Sequence, residues 1–416
     1  MTTAQCRLLE DPTRELVAWC ERTQSQAESP FAAAQAIARK LGLHFVNGVA
    51  EVGFWAPEIR EQQVLDDDVF LEVFQPVEEL SLQSRQQRVR FHRQRVRLVR
   101  FQQYLWGVVE GIIPGTRERV GSFYRVKYRD RDGAWRTSND HLCYSVPFGA
   151  FAPAEAYDID KLQAERADRG YFEQLGQQAG PDGVVKIGPV VNILQLHIPS
   201  GSSGGTFQSM TRVYQTIAHK LKAGQELETH EENLVAFDSV QTLPVEPTIE
   251  YEAGPGFWQE QEDDPLAGEV TVELRRPDMS NWGYDILISG SATVNSALLR
   301  TARPDEYVDF VATLHNFPTG PIRYILDVVF GHNDNQAVPL LNRHFFAGAN
   351  MYGQNNNFRH PVVRAILLEM QRRKVDLSGA DGVRVDGAQD FKWWDAKAEV
   401  LRHDNEYLLS MSDIVQ

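Results

Sequence analysis

The sequence predicts an α/β protein in which an antiparallel β-sandwich precedes a parallel sheet, and three observations lead there. Beyond about residue 190, strands that are apolar throughout alternate with helical stretches, the pattern of a parallel sheet covered on both faces, either doubly wound or closed as a barrel. Between about 44 and 155, short alternating runs are broken by Gly, Pro and Asp, as in an antiparallel sandwich. The 416 residues, 42% hydrophobic and 24% charged, suffice for two or three domains with a sizeable core.

Residues 1–43 read as helices. Asp11-Pro12 and Ser29-Pro30 each set a cap before a Pro in the first turn, and Gly42 closes the second run, "PFAAAQAIARKLG". The sandwich, 44–155, runs from "HFVNGVAEVGFWAPEI" to "SNDHLCYSVPFGAF". Inside it, "RQQRVRFHRQRVRLVRF" carries seven arginines between Arg85 and Arg100, alternating with Val89, Phe91, Val96 and Leu98. That alternation predicts two solvated strand faces with their apolar partners turned inward. Residues 156–189 form a helical connector, since "PAEAYDIDKLQAERADRGYFEQLG" is rich in good helix formers. From 190 to 416, "VVNILQLHI", "NLVAFDSVQTLPV", "PIRYILDVVF" and "GVRV" read as strands. The helices between them are "TFQSMTRVYQTIAHKL", "PDEYVDFVATLHNF" and "HPVVRAILLEMQRR". The stretch "YEAGPGFWQEQEDDPLAGE" reads as an exposed acidic loop, and "WWDAKAEVLRHDNEYLLSMSDIV" as a closing helix.

A formal charge of −15 repels phosphate backbones and anionic membranes. It argues against nucleic acid and membrane partners and suits a small neutral substrate such as a sugar. No apolar run approaches the ~18 to 20 residues of a membrane span. The opening "MTTAQCRLLEDPTRELVAW" lacks a charged segment followed by an apolar core, so no secretory signal is expected and the cytoplasm is the expected location. Cys6, Cys20 and Cys143 are scattered, with neither a CxxC pair nor metal-ligand spacing. Reduced thiols are expected, and neither a metal nor another cofactor.

Three stretches carry candidate chemistry. "GSSGG" formally matches G-x-S-x-G with Ser203 as nucleophile, but Pro199-Ser200 separates it from the strand, so an ordinary loop is expected. "DVVFGHN" sets Asp327 and His332 at the end of the third strand, where α/β sheets build their sites. "GVRVDGAQD" sets Arg384 and Asp386 two apart, hence on one face of the fourth strand. A guanidinium beside a carboxylate favours its ionised form, which suits a nucleophile or an electrostatic stabiliser. Trp282 and Tyr284, Tyr352, Phe391, Trp393 and Trp394 add aromatic faces for sugar rings near that rim, and Asn355, Asn356 and Asn357 add groups for hydroxyls.

In this order the motifs resemble the α-amylase superfamily of glycoside hydrolases and transglycosylases. "VNILQLHI" is similar to that family's first barrel strand, "FDSVQTLPVEP" to its second, "NWGYD" to the following loop, "YILDVVFGHN" to its first conserved region and "ADGVRVDGAQD" to its second. The resemblance implies a (β/α)8 TIM-type barrel of which about four βα units are present, preceded by a carbohydrate-binding-module-like sandwich. It implies Asp386 as catalytic nucleophile, oriented by Arg384, with Asp327 and His332 bonding glucose hydroxyls and Tyr284 stacking beneath the ring. Trp282 and Asp390 join the implied substrate-binding set. Gly331 stands where many amylases have an Asn that helps hold calcium, which speaks against that metal here. The family's acid/base Glu follows a fifth strand. Glu406 lies in a stretch that reads as helix, so the acid/base is expected outside this chain, as in a fragment of a longer protein. The segments "EVGFWAP", "GTRERVGSFYRVKY", "SVPFGAFAPAEAYD" and "RADRGYFEQL" resemble cyanobacterial-type glucosylglycerol hydrolases. That implies release of glucose and glycerol from a compatible solute under salt stress. The alternatives are an α-glucan branching or trehalose-releasing enzyme, or a carbohydrate-binding protein without catalysis.

Overall fold

The computed structural model describes residues 4–415 apart from 182, 184, 186, 251–255, 263, 280 and 388–390. Among them, five strands form one antiparallel sheet, with Tyr104–Glu110 between Arg7–Leu8 and Val49–Trp55, Gly42–Val46 beyond, and Val99–Phe101 also on Tyr104–Glu110. A second, seven-stranded sheet is ordered Ala154–Glu155, Phe123–Arg129, Val69–Pro76, Gln86–Arg97, Glu269–Arg275 and Trp258–Glu260, with Trp135–Ser138 beside Phe123–Arg129. Alternate residues of the two sheets, including Val52, Leu105, Leu71, Val73 and Val126, share one buried core. Period-two alternation puts them there.

The acidic stretch is not a free loop. Trp258–Glu260 pairs antiparallel with Glu269–Arg275, which pairs with Gln86–Arg97 from Glu269 opposite His92 to Arg275 opposite Gln86. Val270, Val272 and Leu274 alternate inward, and with Trp258 they complete an aromatic cluster of Phe74, Phe91 and Phe123. The second sheet therefore draws strands from outside 44–155. The arginine run also departs from expectation, because Gln86–Arg97 is one twelve-residue strand whose middle is covered. Arg93 is buried, its Nη1 2.9 Å from Glu260 Oε2 and its Nε donating to the Ala267 carbonyl at 2.7 Å. On the same face Glu72 accepts from Arg125 Nε at 2.9 Å and Lys127 Nζ at 3.1 Å. Lys127 Nζ also reaches the Pro265 carbonyl at 2.7 Å.

Beyond the connector, Ile193–Leu196, Ser239–Thr242, Arg323–Val329 and Gly382–Asp386 form a parallel sheet in chain order. Helices Phe207–Lys222, Asp305–His315 and Pro361–Ser378 lie between them in sequence. The first starts at a reciprocal Thr206/Ser209 capping box and buries Phe207, Met210, Tyr214 and Ile217, one face of a 3.6-residue period. Pro361 opens the last, and Gly379, at φ 69°, ends it. Of "NLVAFDSVQTLPV" only Ser239–Thr242 is strand; the leading residues finish a helix, Thr229–Val235. The expected closing helix is instead a hairpin, Lys392–Asp395 with Val400–His403, followed by a helix, Asn405–Val415. Asp395 causes the reversal: its Oδ1 accepts from the amides of Lys397 and Ala398, and its Oδ2 pairs with Arg402 at 2.7 Å.

The connector helices Ile159–Glu165 and Arg169–Gly176 lead to the opposite end of the sheet from Asp386. There the buried imidazole of His315 sits between Asp168, 2.7 Å from Nδ1, and Asp381, 3.0 Å from Nε2. Arg166 pairs with Asp168, Tyr171 donates to Asp381, and the Tyr171 ring stacks on His315 at 4.1 Å. Burial alone would lower the His315 pKa, but its two carboxylate hydrogen bonds raise it.

Candidate active site

Parallel register sets Asp327 directly opposite Arg384 and Val329 opposite Asp386. The Arg384 guanidinium spans the gap, Nη1 donating to Asp327 Oδ1 at 2.7 Å and Nη2 lying 2.7 Å from Asp386 Oδ1. Its pKa is raised: burial opposes the charge, and the hydrogen bond to Asp327 and both carboxylates outweigh it. The two carboxylates sit in different surroundings. Asp327 is buried at the back of the cluster, whereas the Asp386 side chain is 32% exposed and open to a ligand.

Asp327 has two further donors. Tyr284 Oη gives to its Oδ2 at 2.9 Å and Gln241 Nε2 to the same oxygen at 3.0 Å. Burial and the hydrogen bond to Asp327 push the Tyr284 phenol up to about 12, so it remains a donor. Gly283 makes this approach feasible, since at φ 88° an added Cβ would lie 2.2 Å from the Pro244 carbonyl oxygen. His332 is buried and stacked on Tyr352, ring centroids 4.9 Å apart. Its strand, His332–Asn333, pairs with Gly353–Asn356 and is pinned where Asn333 Nδ2 meets Asn356 Oδ1 at 2.6 Å.

The structure thus brings Asp327, Arg384, Asp386 and Tyr284 together. Trp282 is 73% exposed and forms no ring pair among the described residues, which leaves its face open. Phe391 is no sugar platform, because it is fully buried among Phe330, Phe358 and Tyr407. The three asparagines mostly serve their own loop: Asn355 accepts from Asn350, Asn356 donates to the Phe330 carbonyl, and Asn357 donates to that of His344. Trp393 lies under Arg359 at 4.2 Å, while Trp394 is exposed. Asp390 lies outside the described residues. Glu406 is exposed in the first turn of a helix. Ser203 is exposed too, and the His197 imidazole binds Ser200 instead, at 3.0 Å, so no hydrolase elbow forms.

Two neighbours of this cluster escaped sequence reasoning. Gln241 is buried in the short strand Ser239–Thr242, and the only signal for it was a long polar side chain within "SVQTLPV". Lys374, fully buried and ion-paired with Glu246, lies under the same rim; burial lowers its pKa, and the Glu246 and Asp327 charges oppose that. Nothing in the helical pattern around Lys374 announced it.

Several solved structures share this fold. A pullulanase from Anoxybacillus sp. LM18-11, solved with maltotetraose, shares 14% identity at a TM-score of 0.56, over 94% of this chain and 50% of its own. The catalytic module of the glycogen-degrading pneumococcal virulence factor SpuA shares 15% at 0.55, over 96% and 51%. Pullulanase from Bacillus acidopullulyticus shares 16% at 0.53, over 85% and 39%. The chain spans about half the length of the structures it matches. Its fold is that of the amylase-type α/β proteins. No curated protein matches it. The chain belongs to the family described as Hypothetical glycoside hydrolase 5 (GHL5), whose model matches residues 15–416.

Proposed function

We propose that the parallel sheet is the first half of a catalytic (β/α)8 barrel and that its rim carries the nucleophile of a retaining α-glycoside hydrolase. The two antiparallel sheets then form the preceding carbohydrate-binding-module-like sandwich. Asp386 attacks the anomeric carbon, Arg384 orients it, and Asp327 and His332 hold ring hydroxyls. Tyr284 stacks beneath the sugar, and Trp282 and Asp390 extend the substrate contacts. The observation that carries this reading is the single guanidinium shared by a buried carboxylate and an accessible one. It separates a holding role from an attacking role.

A retaining mechanism needs a second carboxyl ~5 to 5.5 Å from the nucleophile, to protonate the leaving oxygen and later activate water. Asp327 is buried and already accepts three hydrogen bonds, from Arg384, Tyr284 and Gln241, so it does not fill that place. With Glu406 exposed on a helix, the acid comes from outside the described residues. Glucosylglycerol is the proposed substrate, supported by the resemblance of the N-terminal segments, and the cytoplasm the proposed site of action. Among the described residues no helix is long and apolar enough to cross a membrane. The second reading, an α-glucan substrate, is favoured by the pullulanase bound to maltotetraose.

The nucleophile is tested with 5-fluoro-α-glucosyl fluoride. Fluoride leaves without protonation, so the C–F bond breaks as the carboxylate–carbon bond forms, independently of the acid. The expected result is one glucosyl adduct on the peptide containing Asp386, absent in Asp386→Asn; an adduct on another residue overturns the assignment. Glucose release from glucosylglycerol, with none from maltooligosaccharides, separates the two substrates.

A further inference from the structure

A cavity of about 640 Å³ that shares no residue with the Asp386 rim is walled by the end of strand Val49–Trp55, helix Pro57–Glu61, residues 128–142 and residues 339–345. That is the size of a small-ligand site. Three side chains in its wall, Trp55, Glu58 and Gln62, each hold a buried polar atom with no hydrogen-bond partner among the described residues: Nε1, Oε2 and Oε1. Buried polar groups in proteins are nearly always partnered, so three orphans in one wall call for an occupant with donors and acceptors of its own.

Several of the charges around them are already answered. Glu61 accepts from His344 at 2.8 Å and pairs with Arg343 at 3.0 Å. Asp130 pairs with Arg136 at 2.8 Å, and Asp140 accepts from Tyr124 and the Leu142 amide. Of the remaining titratable walls, Arg131 and Asp132 are exposed to solvent, burial holds the His141 imidazole neutral by pushing it down to about 4, and burial pushes the Glu58 carboxyl up to about 7, so that it is only partly ionised near neutrality. An anion entering here would find no unpaired positive charge in the deep wall and would meet the Glu58 carboxyl. A neutral molecule with several hydroxyls would meet an indole N–H, one amide oxygen and one carboxyl oxygen that lack partners among the described residues.

We propose that this cavity is a second binding site, distinct from the Asp386 rim, for a neutral polyhydroxylated molecule of about disaccharide size. The site does not depend on the catalytic reading, since it shares no residue with the rim.

The test is calorimetric titration of the full chain with maltose, and with glycerol as a smaller polyol, together with hydrogen–deuterium exchange. Maltose is expected to bind saturably and to slow exchange in 57–62 and 339–345, with the same affinity in Asp386→Asn. The Glu58→Ala, Gln62→Ala double variant is expected to lose at least about tenfold in affinity. Glu58→Gln keeps the shape and hydrogen bonding and so retains binding, which separates lost contacts from lost folding. The anion maltobionate is expected to bind at least about tenfold more weakly than maltose. No saturable maltose binding, protection confined to 382–387, or equal affinity for maltobionate overturns the proposal.

Discussion

Strands Gln86–Arg97 and Gly382–Asp386 are both written as valines alternating with arginines, and they put the arginines to opposite use. Arg93, 1% exposed, is walled in by Glu260 and by the carbonyls of Asp264 and Ala267, and it serves packing. Arg384, 43% exposed, holds two carboxylates at an open rim. Alternation decides which side chains share a face; what crosses that face decides whether they are wet. Over Arg93 the chain between Trp258–Glu260 and Glu269–Arg275 folds across, and over Arg384 the described residues leave an opening.

The sharpest break in this comparison is Asp386→Asn. On the proposed function it lowers the rate of enzyme glucosylation by at least about 10⁴-fold, measured by mass spectrometry, while the unfolding midpoint holds. Glu72→Ala is the converse experiment. It strips Arg125 and Lys127 of their buried carboxylate and costs about 3 to 5 kcal/mol in denaturant unfolding, with glucosylation of the folded protein unchanged. Equal stability of Glu72→Ala and wild type would show that the covered network is wet after all.

His315→Gln tests a third ionic locus, buried like the first but titratable. Its folded pKa is raised, so its contribution to stability is complete below the unfolded value near ~6.5 and is lost as pH rises through the folded value. Wild type should therefore lose stability on the alkaline side, and His315→Gln should be weaker by about 1 to 2 kcal/mol at low pH with a flatter profile, read as unfolding midpoints from about pH 5.5 to 9. An unchanged pH profile removes the imidazolium from the account. The smallest effect on stability is expected of Arg384→Lys, under about 1 kcal/mol because the pair is part exposed, with a roughly tenfold or greater fall in glucosylation because Lys cannot fork to both carboxylates. A stability loss as large as that of Glu72→Ala would make the rim a structural network.

The legible parts of this molecule are those set by short-range pattern. The four parallel strands and the Asp327, Arg384 and Asp386 cluster follow from apolar runs and two-residue spacing, and Tyr284 from its neighbouring motif. What stayed hidden is long-range or caused by a single turn. No local signal says that Glu269–Arg275 will pair with a strand some 180 residues earlier, so the hairpin read as a loop and the arginines as solvated. Residues 392–403 have helical composition overall, yet Asp395 and the positive φ of Glu399 reverse the chain into a hairpin. Phe391 read as a sugar platform because a sequence shows that an aromatic follows a strand, not that three other rings close over it.

The pairing of Glu269–Arg275 with Gln86–Arg97 also sets a timetable for the nascent chain. At ~5 to 20 residues per second, the ribosome needs roughly nine to thirty-six seconds to supply the partner after Arg97 has been made. Throughout that interval a twelve-residue strand stands with one edge unpaired, the kind of edge that recruits other chains. Its arginines, destined in part for burial, are at that moment a charged guard against aggregation, and the hairpin that later covers them relieves them of that duty.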